Sequence, residues 1–152
     1  MSHAPRIDLP RQHPAAYAAM YGLQKHVNAG SLPIQLHELV KMRASQINGC
    51  AFCLDLHARV AREHGESDRR LHLLNAWRES GVFDARECAA LAWTEALTRV
   101  EQSQVPDAVY GEVRAQFSEA EIVELSMAIV AINGWNRLMV AFRAPPAGHT
   151  PG

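Results

Sequence analysis

Residues 38–57 read Glu38-Leu-Val-Lys-Met-Arg-Ala-Ser-Gln-Ile-Asn-Gly-Cys50-Ala-Phe-Cys53-Leu-Asp-Leu-His57. Leu36, Leu39, Val40 and Ile47 recur at helical spacing on either side of its start. Asn48-Gly49 then interrupts the run, and glycine takes the positive φ of a helix end without strain. A second run opens at Cys50. The stretch therefore reads as two helices joined by a tight turn. Strict apolar–polar alternation, the mark of a half-buried strand, is found nowhere in the chain.

The pattern extends in both directions. No proline lies between Pro33 and Pro106, or from Asp107 to Ala144, and an interior proline would cost a helix about 3 kcal/mol. His64-Gly65 and Ser80-Gly81 mark further helix ends. Asp84-Ala-Arg-Glu87 and Ser118-Glu-Ala-Glu121 fit the capping box, an acceptor followed three residues later by a carboxylate. These signals predict helices over 14–28, 33–47, 50–64, 67–79, 84–103, 106–115 and 118–142. The fold class is all-α. The organisation is an N-terminal arm over 1–13, one helical domain over 14–143 and a flexible, Pro- and Gly-rich tail over 144–152. The segment Ile122–Ile132 is apolar on nearly every side, as suits a central helix or one partly covered by another subunit.

Composition narrows the functional classes. The chain has 152 residues, with fifteen Lys and Arg against sixteen Asp and Glu, for a formal charge of −1. A nucleic-acid footprint needs clustered basic residues on a basic domain, so none is expected. The longest uncharged apolar run, Leu125–Asn136, is far shorter than the roughly 20 residues that span a bilayer. The start, MSHAPRIDLPRQHP, lacks an apolar secretory core. Three cysteines do not build a disulfide scaffold. A soluble domain of the cytoplasm, without a membrane partner, is expected.

The chemistry concentrates at Cys50-x-x-Cys53, directly after the turn. Unpaired N–H groups and the positive end of the dipole at a helix start favour a thiolate over a thiol. Cys50, Cys53 and His57 lie at i, i+3 and i+7, on one stripe. The histidine can take or return a proton near neutral pH. Other readings of the pair remain. Structural zinc needs about four ligands, and no His-x₃₋₅-His spacing completes the set. Haem attachment would need histidine where Leu54 stands, and no βαβ pattern supports a thioredoxin-type fold. Two plain core cysteines at a helix start also satisfy the pattern. Taken alone, Glu38 reads as a solvated glutamate beside Lys41 and Met42. His26, His37, His64 and His72 read as surface histidines of amphipathic helices, and His3, His13 and His149 as residues of the chain ends. Cys88 reads as a small, inert hydrophobe. Trp77, Trp93 and Trp135 read as core anchors. Asn133, Asn136 and Arg137, polar groups on the apolar helix, are expected to tie it to neighbours.

Glu38, Cys50-x-x-Cys53 and His57 together resemble the AhpD-like alkylhydroperoxidases of the carboxymuconolactone decarboxylase superfamily. The likeness extends through Arg43-Ala-Ser-Gln-Ile-Asn-Gly-Cys50, Arg70 to Trp77-Arg-Glu, Arg86 to Glu95 and Asn133-Gly-Trp-Asn-Arg137, covering roughly 14–143. It implies an all-α fold assembled as a trimer or hexamer, and peroxidase or disulfide-reductase activity through the cysteine pair. It further implies that Cys53 attacks the peroxide, Cys50 resolves the product, and Glu38 with His57 relays protons. The best-known members carry histidine immediately before the second cysteine; this chain has Phe52. The expected cycle leads from a Cys53 sulfenic acid to a Cys50–Cys53 disulfide. No bound cofactor or metal is expected, so electrons come from an external partner, and the resemblance implies that this is a dithiol such as a lipoyl group or a thioredoxin-like protein. Two alternatives stand beside this reading. One is a lactone-processing enzyme of the decarboxylase type, which needs no cysteine pair. The other is a non-enzymatic, redox-sensing oligomeric binding module.

Overall fold

The Asn48-Gly49 corner folds as its sequence requires. In the computed structural model, which describes residues 4–148, Gly49 sits at φ 66° and ψ 37° between two helices. Ten α-helices are found among the described residues, and no strand. They are α1 (Leu9–Gln12), α2 (Pro14–Asn28), α3 (Ile34–Asn48), α4 (Ala51–Glu63), α5 (Asp68–Leu73), α6 (Trp77–Ser80), α7 (Ala85–Thr98), α8 (Val100–Ser103), α9 (Asp107–Gln116) and α10 (Glu119–Phe142).

Helix α3 is the centre of the bundle. It packs against α4, α7 and α10 together, so every residue from Leu36 to Ser45 is buried. Leu39 on α3, and Leu74, Leu91, Leu125, Ile129 and Ile132 around it, are almost wholly enclosed. Burial of side chains of this size contributes about 1.5–3 kcal/mol each. Both expected capping boxes form, Asp84 with Glu87 opening α7 and Ser118 with Glu121 opening α10.

Helix α10 is the one described helix long and apolar enough, by length and composition, to cross a membrane. Here its inward face is core: Ile122, Leu125, Ala128, Ile129, Ala131, Ile132 and Asn136 are buried against α2, α3 and α7. A side chain at Gly134 would meet Met20 Cε at 3.0 Å, so glycine there permits the close approach of α2. Val123 and Val130 face outward, 63% and 54% exposed.

The structure departs from the expected elements at three places. The 67–79 run breaks into α5, a 3₁₀ turn at Leu74–Ala76 and α6, where Asn75 accepts a hydrogen bond from Arg43 of α3. The 84–103 run stops at Thr98 and resumes as α8. The Ser103 hydroxyl bonds the Ala96 carbonyl at 2.6 Å and turns the chain there. Within the expected arm, α1 packs on α2, Leu9 is buried, and the Arg6 N–H donates to the Phe142 carbonyl at 2.9 Å. In the expected tail, the Ala144 N–H caps α10 on the Met139 carbonyl. Residues 149–152 lie outside the described residues.

Candidate active site

Cys50 is the N-cap of α4, in extended conformation, and its Sγ accepts from the Cys53 N–H at 3.3 Å. The two cysteines are joined as a disulfide with Cα atoms 5.3 Å apart, a separation ordinary for such a bond. Both sulfurs are enclosed among Ala44, Ile132, Phe52, Trp135 and Met139. The turn carrying them is fastened to α10. The Cys50 N–H donates to the Ser45 carbonyl at 3.0 Å, and Asn136 donates to the Ser45 hydroxyl at 3.0 Å. Asn48 donates to both Asn133 and Asn136 at 2.9 Å. The expected tie through Asn133 and Asn136 is thus present, whereas Arg137 bonds only Asn133 of its own helix.

One turn beyond Cys53, His57 Nδ1 lies 2.8 Å from Glu38 Oε2. The other carboxylate oxygen, Oε1, accepts from the Lys41 ammonium at 2.8 Å. Glu38 is therefore a buried hub, 2% exposed, and the solvated reading of this residue is corrected. Burial opposes its ionisation. The hydrogen bond and charge of His57, together with the Lys41 ammonium, outweigh that and hold the carboxyl below its ordinary range. An ionised carboxylate only accepts, so His57 Nδ1 carries the hydrogen, which in the neutral ring leaves Nε2 as the acceptor. A histidine oriented in this way by a carboxylate is fit to serve as a base.

A cavity of about 760 Å³ opens onto these groups. Cys53, His57, Glu38 and Lys41 line it, and Cys50 does not. The structure thus brings Cys53, His57 and Glu38 to one cavity and leaves Cys50 behind Cys53 in the disulfide. Its far walls come from both ends of the chain, including Ile7 and Leu9 on one side and Phe142 and Pro145 on the other. Phe52 and Trp135 also face it, so Trp135 is a half-buried cavity wall rather than a core anchor. Trp77 and Trp93 are core residues as expected.

Two participants escaped the sequence reading, Lys41 and His37. His37 was expected at the surface but is buried, 7% exposed, on the cavity wall. The signal lay in spacing: His37 and Lys41 are four residues apart, with Glu38 between them, on one face of α3. Cys88 is half-buried, its S–H directed to the Phe83 carbonyl at 3.6 Å. Burial first, then Glu87 and Asp84, push this thiol up, which keeps it protonated. Among the described residues, no cluster of three or more His, Cys, Asp or Glu is placed to hold a metal.

Comparison with known proteins bears on the family and the fold. The sequence profile of the carboxymuconolactone decarboxylase family matches residues 14–96. The chain is 38% identical over 128 residues to the uncharacterised protein YdfG of Bacillus subtilis (strain 168), covering 84% of this chain and 87% of that one. A crystal structure of an Agrobacterium tumefaciens protein of unknown function, provisionally described as the antioxidant defence protein AhpD, superposes with a TM-score of 0.94. It is 39% identical, covering 96% of this chain and all of that one. The AhpD core of a peroxidase-related protein from Ralstonia eutropha JMP134 shares the fold at 14% identity, with a TM-score of 0.81 over 94% of this chain and 80% of that one. With its helical hairpin, its cysteine pair and these relatives, the chain belongs to the carboxymuconolactone decarboxylase family, as an AhpD-like member.

Proposed function

We propose that this protein is a thiol-dependent hydroperoxide reductase. The observation that carries the reading is the Cys50–Cys53 pair at the end of a cavity also lined by the Glu38–His57 couple. Cys53 faces the cavity, and we assign it the attack. His57 Nε2 takes the Cys53 proton, the thiolate cleaves the O–O bond, and the proton passes to the departing alkoxide. The products are an alcohol and a Cys53 sulfenic acid. Cys50 displaces water from that sulfenic acid and closes the disulfide. An external dithiol then reduces the disulfide by exchange and leaves as its own disulfide. The net reaction consumes one hydroperoxide and one dithiol, and yields an alcohol, water and a disulfide.

No protein group here supplies electrons for a second turnover, so the partner is a lipoyl group or a thioredoxin-like protein of the cytoplasm, where dithiols stay reduced. We further propose a homo-oligomer, a trimer or hexamer. The exposed Val123 and Val130, beside a groove that includes Leu97 and Val100, are the apolar surface an interface would cover.

Intact and peptide mass spectrometry of the reduced protein, before and after one equivalent of an organic hydroperoxide, tests the reading. A loss of two mass units mapped to Cys50–Cys53, with Cys88 still free, is expected. Cys53→Ser is expected to abolish hydroperoxide consumption. Thiols that remain reduced in the folded protein would sink the assignment and leave lactone processing or redox-sensitive binding to be tried.

A further inference from the structure

His37 is a buried titratable group that the cycle above does not use. The residue is 7% exposed and borders the cavity. Among the described residues no side chain or carbonyl hydrogen-bonds it. Buried polar groups as a rule have partners. Since no fully enclosed side-chain nitrogen or oxygen lacks one here, the ring nitrogens open onto the cavity, where water or a ligand supplies the partner.

Position adds the second part of the argument. His37 lies in the first turn of α3, whereas Cys53 lies in the first turn of α4. The two helices form an antiparallel hairpin, and Gln35 reaches the His64 carbonyl at its open end. Cys53 and His37 therefore stand toward opposite ends of one cavity, roughly 12 Å apart along the hairpin at 1.5 Å per residue. Hydrogen peroxide needs none of that length. A cavity walled by Ile34, Leu32, Val60 and Tyr21 suits an extended apolar chain.

Charge decides what the far end of that chain carries. Burial, and then Lys41, push the His37 pKa down, so the imidazole is neutral at pH 7 and offers one donor and one acceptor. Glu124, bonded to Ser31, and Glu38 are the carboxylates near it, and the Lys41 charge is already matched by Glu38. A ligand carboxylate would add an unmatched negative charge. A ketone, ester or hydroxyl oxygen would not.

We infer that His37 is a substrate-recognition residue. It binds an uncharged oxygen at the far end of an elongated, apolar organic hydroperoxide whose peroxide group meets Cys53. This inference rests on the hydroperoxide reading above, and the test separates the two. Three unbranched ten-carbon hydroperoxides serve as probes: one plain, one with a keto group near the far end, one ending in a carboxylate. Their alcohols, which cannot react, are titrated into the disulfide form with Trp135 fluorescence as readout.

In the wild type the keto alcohol is expected to bind about tenfold tighter than the plain one, the size of one hydrogen bond, and the carboxylate more weakly than the keto form. His37→Leu is expected to erase the keto preference, and His37→Gln, which keeps a donor and an acceptor, to restore most of it. With the reduced protein, the half-saturating concentration of the three hydroperoxides for disulfide formation should follow the same order. Equal binding of keto and plain alcohols to the wild type, or no binding of either, overturns the inference without any variant. A His37-dependent keto preference with no oxidation of the reduced thiols would uphold His37 and overturn the reductase reading.

Discussion

At the scale of single residues the site divides into what types and spacing reveal and what burial alone reveals. Cys50, Cys53 and His57 are legible because three reactive groups on one stripe have few ordinary uses. Glu38 is legible only through its family pattern, since a glutamate beside a lysine on a helix is the commonest solvated arrangement. Nothing local says that this Lys41 is 7% exposed and neutralised from inside. That burial has an acid signature. A carboxyl held below its ordinary value binds fewer protons folded than unfolded. The stability it contributes is complete above the unfolded value, about 4.3, and is lost as pH falls through the folded one. Glu38→Gln leaves the Lys41 ammonium buried without its counter-charge and is expected to cost about 3 kcal/mol at neutral pH. Urea unfolding at neutral and acid pH should also show a flatter acid dependence in the variant. An acid slope equal to that of the wild type would assign the acid sensitivity elsewhere, Glu95 being another carboxyl held down, by Trp77, Arg78 and Arg43.

Among the elements, sequence punctuation located the helices well because caps and turns are local chemistry. Gly49, Asp84 and Ser118 each satisfy or release backbone groups within a few residues. The break inside 67–79 was invisible because Arg43 reaches Asn75 from α3, and the one inside 84–103 because Ser103 turns back onto Ala96, a bond that no propensity or cap signals. The burial of residues 36–45 of α3 was hidden too, since a helix with His37, Glu38, Lys41 and Arg43 on its faces reads as amphipathic until three other helices surround it. The Gly49 corner gives a clean test at this scale. A Cβ there meets nothing within 4 Å, so only its φ of +66° opposes substitution. Gly49→Ala is expected to lower stability by about 1 kcal/mol, and Gly49→Asn by less. A denaturant midpoint unchanged by alanine would mean that the turn relaxes to another conformation.

Taken whole, the molecule covers the Cys53 sulfur with the stretches before α2 and at the end of α10. The segment before α2 and the residues after α10 meet where Arg6 donates to the carbonyls of Ala141 and Phe142. Together they form the outer wall of the cavity. No sequence pattern announces this, because the two segments are more than a hundred residues apart and each reads as a loose end. Removing residues 1–7 is expected to speed the reaction of the reduced Cys53 thiol with a bulky maleimide several-fold, with Cys88 unchanged as the internal reference. Equal rates with and without the segment would show that the reagent enters by another route. The same meeting of Arg6 and Phe142 brings the polypeptide close to a closed ring. A short linker across that junction, with a new opening at the exposed corner near Glu101 and Gln104, would give a circular permutant. The order of the genetic text would change while the α3–α4 hairpin, and all the chemistry written on it, stayed in one piece.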